Sequence, residues 1–254
     1  MYHTLVYQPI LNTLIWLYQI TGNNLGFATI ILTLLVRGLL IPFTLPSLKS
    51  AKKMSALKPQ LDALKKKYDH DPKVFQTKQL EFYKTHKLNP AGGCLPYIAQ
   101  FIVLIALYQV FMNSLNGAES VLTNTNFLFW NLKEKDGTYI LPVLAGILQL
   151  FTSMAILPAV ENEPEKRPGT KAQKEDVAEM ATSMQQQMVF LMPIMTVVFA
   201  LQFPSGLSLY WVITTAFSLV QQLVISGPGG LVKYARKLGI KIGRNHVNRK
   251  TATR

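Results

Sequence analysis

The sequence predicts an all-α integral membrane protein with five transmembrane helices, an N-terminal amphipathic helix in the membrane interface and a cytoplasmic helical hairpin. Three observations carry that expectation. Of 254 residues, 49% are hydrophobic and only 15% charged, where soluble domains carry roughly a quarter of their residues as charges; the mean hydropathy is +0.21. The charges are also segregated. No Asp, Glu, Lys or Arg occurs in 1–36, 38–48, 88–118, 137–160 or 180–232, and all but the second of these runs are 24 to 53 residues long, which an ordinary soluble globule does not tolerate. Finally, 23 of the 26 basic residues gather in alternate connecting segments, the signature of cytoplasmic loops.

Several function classes are excluded at this level. One cysteine, Cys94, rules out an intrachain disulfide framework and a Cys-based zinc site. His3, His70, His86 and His246 are too scattered for metal-ligand spacing. Neither GxxxxGK[ST] nor GxGxxG occurs, so no nucleotide or dinucleotide site has local support. No metal and no cofactor is expected. Paired carboxylates and Ser/His pairs are missing from the apolar runs, which argues against a membrane-bound enzyme.

Along the chain, residues 1–24 form the interfacial helix. Gln8, Asn12 and Gln19 share one face, and Ile10, Leu11, Leu14, Trp16, Leu17 and Tyr18 another, with Pro9 at the start and Gly22-Asn23-Asn24 at the end. A positive n-region and a small-x-small site are lacking, so this is not read as a cleaved signal; a sixth span is the competing reading. Each span needs about 20 residues to cross about 30 Å of hydrocarbon. The spans are placed at 25–46, 94–114, 139–158, 184–203 and 207–226, the last two separated by the tight turn Phe203-Pro204-Ser205-Gly206. Between the first two, 47–90 is read as the hairpin. Leu57, Leu61, Leu64 and Tyr68 make one apolar seam, Asp71-Pro72 starts a second helix, and Phe75 and Phe82 lie seven apart on it. Lys and Arg number none in 1–24, eleven in 47–90, two in 115–138, four in the loop 159–183 and eight in the tail 227–254. That alternation puts the N-terminus outside and the C-terminus in the cytoplasm.

Arg37 is the residue that needs an explanation. It lies near the middle of the first span, where a charge costs about 2.5–3.5 kcal/mol on insertion scales, and its guanidinium stays charged. Roughly 15 Å to either interface exceeds its reach, and no acid lies within another span. A hydrated cavity inside the membrane, ringed by neutral polar groups, is the remaining solution, with a purely structural role for Arg37 as the competing reading; Thr33, Gln100, Gln149, Ser208 and Trp211 are the candidates. Met180, Met184, Met188 and Met192 recur every four residues, a stripe that reads first as helix packing and second as an adaptable apolar surface. Cys94 reads as a small packing residue.

Here the residues carry a resemblance. Asn89-Pro90-Ala91-Gly92-Gly93-Cys94-Leu95-Pro96 with Gln100 and Ala106-Leu107-Tyr108, then Tyr139-Ile140-Leu141-Pro142, then Met192-Pro193, then Phe203-Pro204-Ser205-Gly206-Leu207 with Leu209-Tyr210-Trp211 and Gln221-Gln222, resemble the YidC/Oxa/Alb family of membrane protein insertases. Leu34-Leu35-Val36-Arg37 followed by Pro42 is similar to that family's arginine-bearing span. The likeness covers about residues 7–226. It implies a five-helix core around a hydrophilic groove open to cytoplasm and lipid but sealed outside, in a bacterial cell membrane, with Thr33, Arg37, Gln100 and Trp211 at groove positions. A short form without a large extracytoplasmic domain is expected, since neither an extra N-terminal span nor a lipoprotein-type Cys is seen.

The function implied is an insertase and chaperone for nascent membrane proteins that works without nucleotide hydrolysis. Arg37 would attract acidic translocated segments. The partners expected are nascent membrane proteins, the lipid bilayer, and the ribosome through the basic tail 227–254 and the hairpin 47–90. A polycationic tail binds RNA phosphate and anionic headgroups alike, and action alone or beside the Sec translocon fits the sequence equally. A small-solute channel or transporter, and an assembly scaffold without transfer activity, remain the alternative functions.

Overall fold

The computed structural model describes residues 2–68, 70–88, 95–116, 122–156, 177–228 and 230–231. Cys94, the Asn89–Gly93 stretch, most of the loop 159–183 and the tail beyond 231 lie outside the described residues, as do the side chains of Met180, Met184 and Met188. Within them the chain is mostly helical. A π-helical turn, His3–Tyr7, runs into α1 (Gln8–Ile20), followed by α2 (Leu25–Lys67), α3 (Pro72–Thr85), α4 (Leu95–Asn116), α5 (Ile140–Ile156), α6 (Val177–Gln202) and α7 (Ser205–Ser226). One antiparallel ribbon, β1 (Asn126–Phe127) with β2 (Trp130–Asn131), lies between α4 and α5. Segments Leu25–Leu57 of α2 and Ser205–Ser226 are long and apolar enough to cross a membrane, and Gln100–Asn113, Ile140–Ile156 and Val189–Gln202 are shorter apolar stretches. These five fall on the helices where the sequence places its spans.

Local chemistry sets most helix ends. Pro9 occupies the first turn of α1, and its missing N–H costs nothing there. Beyond Thr21 the backbone turns left-handed at Gly22 (φ 70°) and Asn23 (φ 57°). Asn24 then caps α2, its Oδ1 accepting from Gly26 N at 3.0 Å and Phe27 N at 3.1 Å. Asp71 does the same for α3, accepting from Lys73 N and Val74 N, with Pro72 at the first helical position. Gly227, at φ 80°, ends α7.

Two features differ from the sequence reading. The expected first span and first hairpin arm are one continuous 43-residue helix, α2, passing through Pro42, Pro46 and Pro59. At 1.5 Å per residue it is about 65 Å long, twice the hydrocarbon thickness. Its C-terminal part therefore projects beyond any bilayer that holds its N-terminal part. There α3 packs against it; Leu57, Leu61, Leu64 and Tyr68 are half-buried and Phe75 is buried. The second difference is α1. Its apolar face does not simply lie on lipid, because Ile10, Leu14, Leu17 and Tyr18 are buried in the protein core while Trp16 and Ile20 stay exposed.

The core sits at one end of the bundle. Its buried members include Leu14 and Leu17 of α1, Leu25, Ala28 and Leu32 of α2, Ala106, Leu107, Val110 and Phe111 of α4, Leu141 and Ala145 of α5, and Leu207, Leu209, Tyr210 and Val212 of α7. All lie near the end where α2 and α7 begin. The segment between α4 and α5 closes over that end. Leu122, Phe127 and Leu132 are buried in the core. Ser205 N donates to Glu134 O at 2.7 Å, and Gly206 N to Leu132 O at 3.0 Å. Tyr18 Oη accepts from Asn124 N at 2.7 Å. Asp136 locks the segment to α5, accepting from Trp130 Nε1 (3.0 Å), Thr138 N (2.9 Å) and Leu141 N (2.8 Å). Toward the opposite end the large side chains turn outward, as at Leu39 and Phe43 of α2 and Phe101 and Ile102 of α4.

Candidate site around Arg37

Arg37 stands twelve residues after the start of α2, about 18 Å along its axis and one turn beyond Thr33, where the packed core stops. Its side chain is half-buried. Nε donates to Thr214 Oγ1 of α7 at 3.3 Å, and Nη2 donates to Gln100 Oε1 of α4 at 2.5 Å. The other end of the same amide continues the chain, Gln100 Nε2 donating to Tyr210 Oη at 2.6 Å. One neutral side chain thus ties α4 to both α2 and α7 just above the core.

The electrostatics follow from what is missing around the guanidinium. Among the described residues the ion pair present is Lys78–Glu81 on α3, far from Arg37 in the sequence and on the projecting hairpin. Both partners of Arg37 are neutral. A guanidinium carries five N–H donors, and two are used, so three have no acceptor among the described residues. A cation held by neutral dipoles with donors to spare can take up a carboxylate without first breaking an internal ion pair, which is the energetic difficulty with a charge already matched in low dielectric.

Not every residue named from the sequence joins this cluster. Arg37 and Gln100 are in direct contact. Thr33 and Ser208 are fully buried, and their hydroxyls are committed to backbone carbonyls, Thr33 Oγ1 to Thr29 O at 2.6 Å and Ser208 Oγ to Ala200 O at 3.0 Å. They belong to the packed floor and to the α6/α7 turn. Trp211 is half-buried, its ring against Phe203 with centroids 6.4 Å apart. Gln149 is half-buried and has no hydrogen-bond partner among the described residues. Tyr210 and Thr214 were missed. Their spacing of four residues puts them on one face of α7, but nothing in an apolar run distinguishes that face from the one bearing Trp211 until α2 is docked against it.

Residues 16–229 match the family described as the 60Kd inner membrane protein. The chain is 34% identical over 227 residues to a protein named membrane protein insertase MisCA from Bacillus subtilis, covering 88% of this chain and 78% of that one. It is 36% identical over 207 residues to membrane protein insertase YidC of Fusobacterium nucleatum, covering 82% and 88%. With a YidC of Pseudoalteromonas atlantica the identity is also 36%, over 80% of this chain but 33% of that longer protein. On the strength of a family match across most of its length, the chain belongs to the YidC/Oxa family of membrane proteins.

Proposed function

We propose that this protein is a membrane protein insertase that lowers the barrier for moving a hydrophilic segment of a nascent membrane protein across the bilayer, without nucleotide hydrolysis and without making or breaking a bond. The observation that carries the reading is the half-buried guanidinium of Arg37, mid-helix, with neutral partners and spare donors. Five spans form the core, with the N-terminus outside and the basic hairpin, loop and tail in the cytoplasm. The space between α4 and the α2/α7 pair is the groove, floored by the core and by the segment between α4 and α5.

The physics of the step is simple. Unpaired backbone groups cost several kcal/mol each in hydrocarbon, so an unaided tail crosses slowly. Water reaching Arg37 from the cytoplasmic side shortens the dry path. The cation attracts acidic side chains in a medium of lower dielectric than water, and the carboxylate displaces Gln100 as acceptor. The adjacent apolar segment of the client then slides past α4 into lipid, and its burial supplies the driving force. A membrane potential that is positive outside adds about 2.3 kcal/mol per 100 mV for each negative charge moved outward. Trp211 and Gln149 line the path. Ribosome capture by the basic tail and hairpin, and work beside the Sec translocon, extend the same reading.

The test is reconstitution in proteoliposomes with a client whose translocated tail is acidic. Arg37→Ala should block insertion, Arg37→Lys should keep part of it, and Arg37→Glu should be worst. Normal insertion by Arg37→Ala would remove the electrostatic role. Solute flux measured in the same vesicles separates insertion from a channel or transporter.

A further inference from the structure

Where α2 leaves the bundle, a cleft of about 450 Å³ opens between it and the end of α7, lined by Leu45, Lys49, Lys52, Lys53, Ala56 and Ile225. We propose that this cleft holds the headgroup and one acyl chain of an anionic phospholipid from the bilayer leaflet on that side.

The stripe on α2 is spaced to build such a site. Leu45, Lys49, Lys52 and Ala56 follow one another at four, three and four residues, so they share a face, and Lys53 lies beside them. Each ammonium has three donors. Lys52 Nζ spends one on Ile225 O at 2.8 Å, and Lys53 Nζ one on His86 O at 2.7 Å. Lys49 has no partner, and no carboxylate pairs with any of the three among the described residues. Three exposed positive charges therefore face one small volume without neutralisation.

Depth and lining decide between occupants. Lys49 lies 24 residues after the start of α2 and Ile225 20 residues after the start of α7, about 36 Å and 30 Å along their axes. With about 30 Å of hydrocarbon, both put the cleft at headgroup level. A free inorganic anion would satisfy the lysines and leave Leu45, Ala56 and Ile225 facing water. A phospholipid uses both halves, its phosphate against the ammonium groups and its chain leaving over Leu45 and Ile225 into the membrane. Basic pockets between helices at this level take anionic headgroups on the same grounds. A lipid seated there would also brace the point where α2 departs from α7.

The test is lipid retention by the full chain in neutral detergent, read by native mass spectrometry. The probes are phosphatidylglycerol, phosphatidylcholine with the same chains, and glycerol 1-phosphate. One phosphatidylglycerol should be retained in preference to phosphatidylcholine, and glycerol 1-phosphate should compete only weakly. Lys49→Gln/Lys53→Gln, which keeps the Lys52 bond to α7, should weaken phosphatidylglycerol about 25-fold, roughly fivefold per lysine at about 1 kcal/mol each. Lys49→Arg/Lys53→Arg should restore it. The equal charge change Lys73→Gln/Lys84→Gln on α3 should alter it less than twofold. Unchanged binding in the first variant, equal loss in the α3 variant, or competition by glycerol 1-phosphate at parity with the lipid would each overturn the site. Arg37→Ala should bind the lipid normally, so the result stands apart from the insertase reading.

Discussion

A methyl group added at Gly26 tests whether the segment between α4 and α5 is clamped onto the start of α2. A Cβ built there would lie 2.0 Å from Phe127 Cδ2, 2.1 Å from Cγ and 2.7 Å from Cβ. A change of χ1 would carry Cγ and Cδ2 away, but the Phe127 Cβ is fixed to the backbone, so a rotamer change alone does not relieve the contact. Phe127 is 7% exposed, and its ring also packs edge-on against Phe27 at 5.3 Å. Gly26→Ala must therefore push β1 off α2, an overpacking cost of about 1–3 kcal/mol. Phe127→Ala should cost about 3–5 kcal/mol by opening a cavity. In the double variant the ring is gone but the Cβ that Phe127→Ala keeps still lies 2.7 Å from the new methyl, so the clash is relieved in part and the pair should be more stable than the sum of the two single costs implies. The coupling is then about 0.5–3 kcal/mol, the range for residues in contact. Equilibrium unfolding of the detergent-solubilised chain gives all four stabilities. Strictly additive costs, or a Gly26→Ala variant as stable as the parent, would show that β1 does not rest on α2 as described.

The remaining predictions concern the same two ends of the molecule. Burial raises the Asp136 carboxyl pKa, but hydrogen bonds from the Thr138 hydroxyl, from Leu141 and Thr138 backbone N–H groups and from the Trp130 indole more than offset it, and the net shift is downward. A carboxylate depressed in the folded state contributes stability that is present above the unfolded value, roughly 3.9, and lost as pH falls through the folded value. Acidification below the ordinary aspartate range should thus loosen the segment, read from Trp130 fluorescence, and Asp136→Asn should abolish that dependence. Gln100→Glu places a carboxylate where the Arg37 guanidinium now has an amide oxygen 2.5 Å away; insertion of an acidic-tailed client should fall toward the Arg37→Ala level while the fold keeps its stability. Insertion at the parental rate would mean that the charge is not the attractant. Tyr210→Phe removes the acceptor of Gln100 Nε2 and should cost about 1–2 kcal/mol in unfolding, with Arg37 variants changing that cost by more than 0.5 kcal/mol if the three act as one network.

How much of this was legible beforehand depended on the range of the interaction. The starts of α2 and α3 and the end of α7 follow from Asn24, Asp71-Pro72 and Gly227, whose partners lie within four residues, so their chemistry is written in adjacent letters. The depth of Arg37 is equally local, being a count of residues along one helix. The burial of the α1 apolar face in protein was not legible, because lipid and a protein core reward the same side chains.

The sequence by itself determined that Arg37 is the one charged residue between positions 1 and 48 and that no acid shares the apolar runs. Tertiary structure alone decided what surrounds it. Gln100 and Tyr210 are 110 positions apart, and Arg37 and Thr214 are 177 apart; they meet only because the core packs α2, α4 and α7 together at one end, while α2 and α7 stay joined beyond it through Thr44–Gln221 and Lys52–Ile225. The same docking turned Thr33 and Ser208, polar residues that looked available, into packed ones, since a hydroxyl with a backbone carbonyl in reach is satisfied there. Which neutral group faces a cation is a property of helix rotation and pairing, and those are fixed by the sum of many apolar contacts that no single stretch of sequence contains.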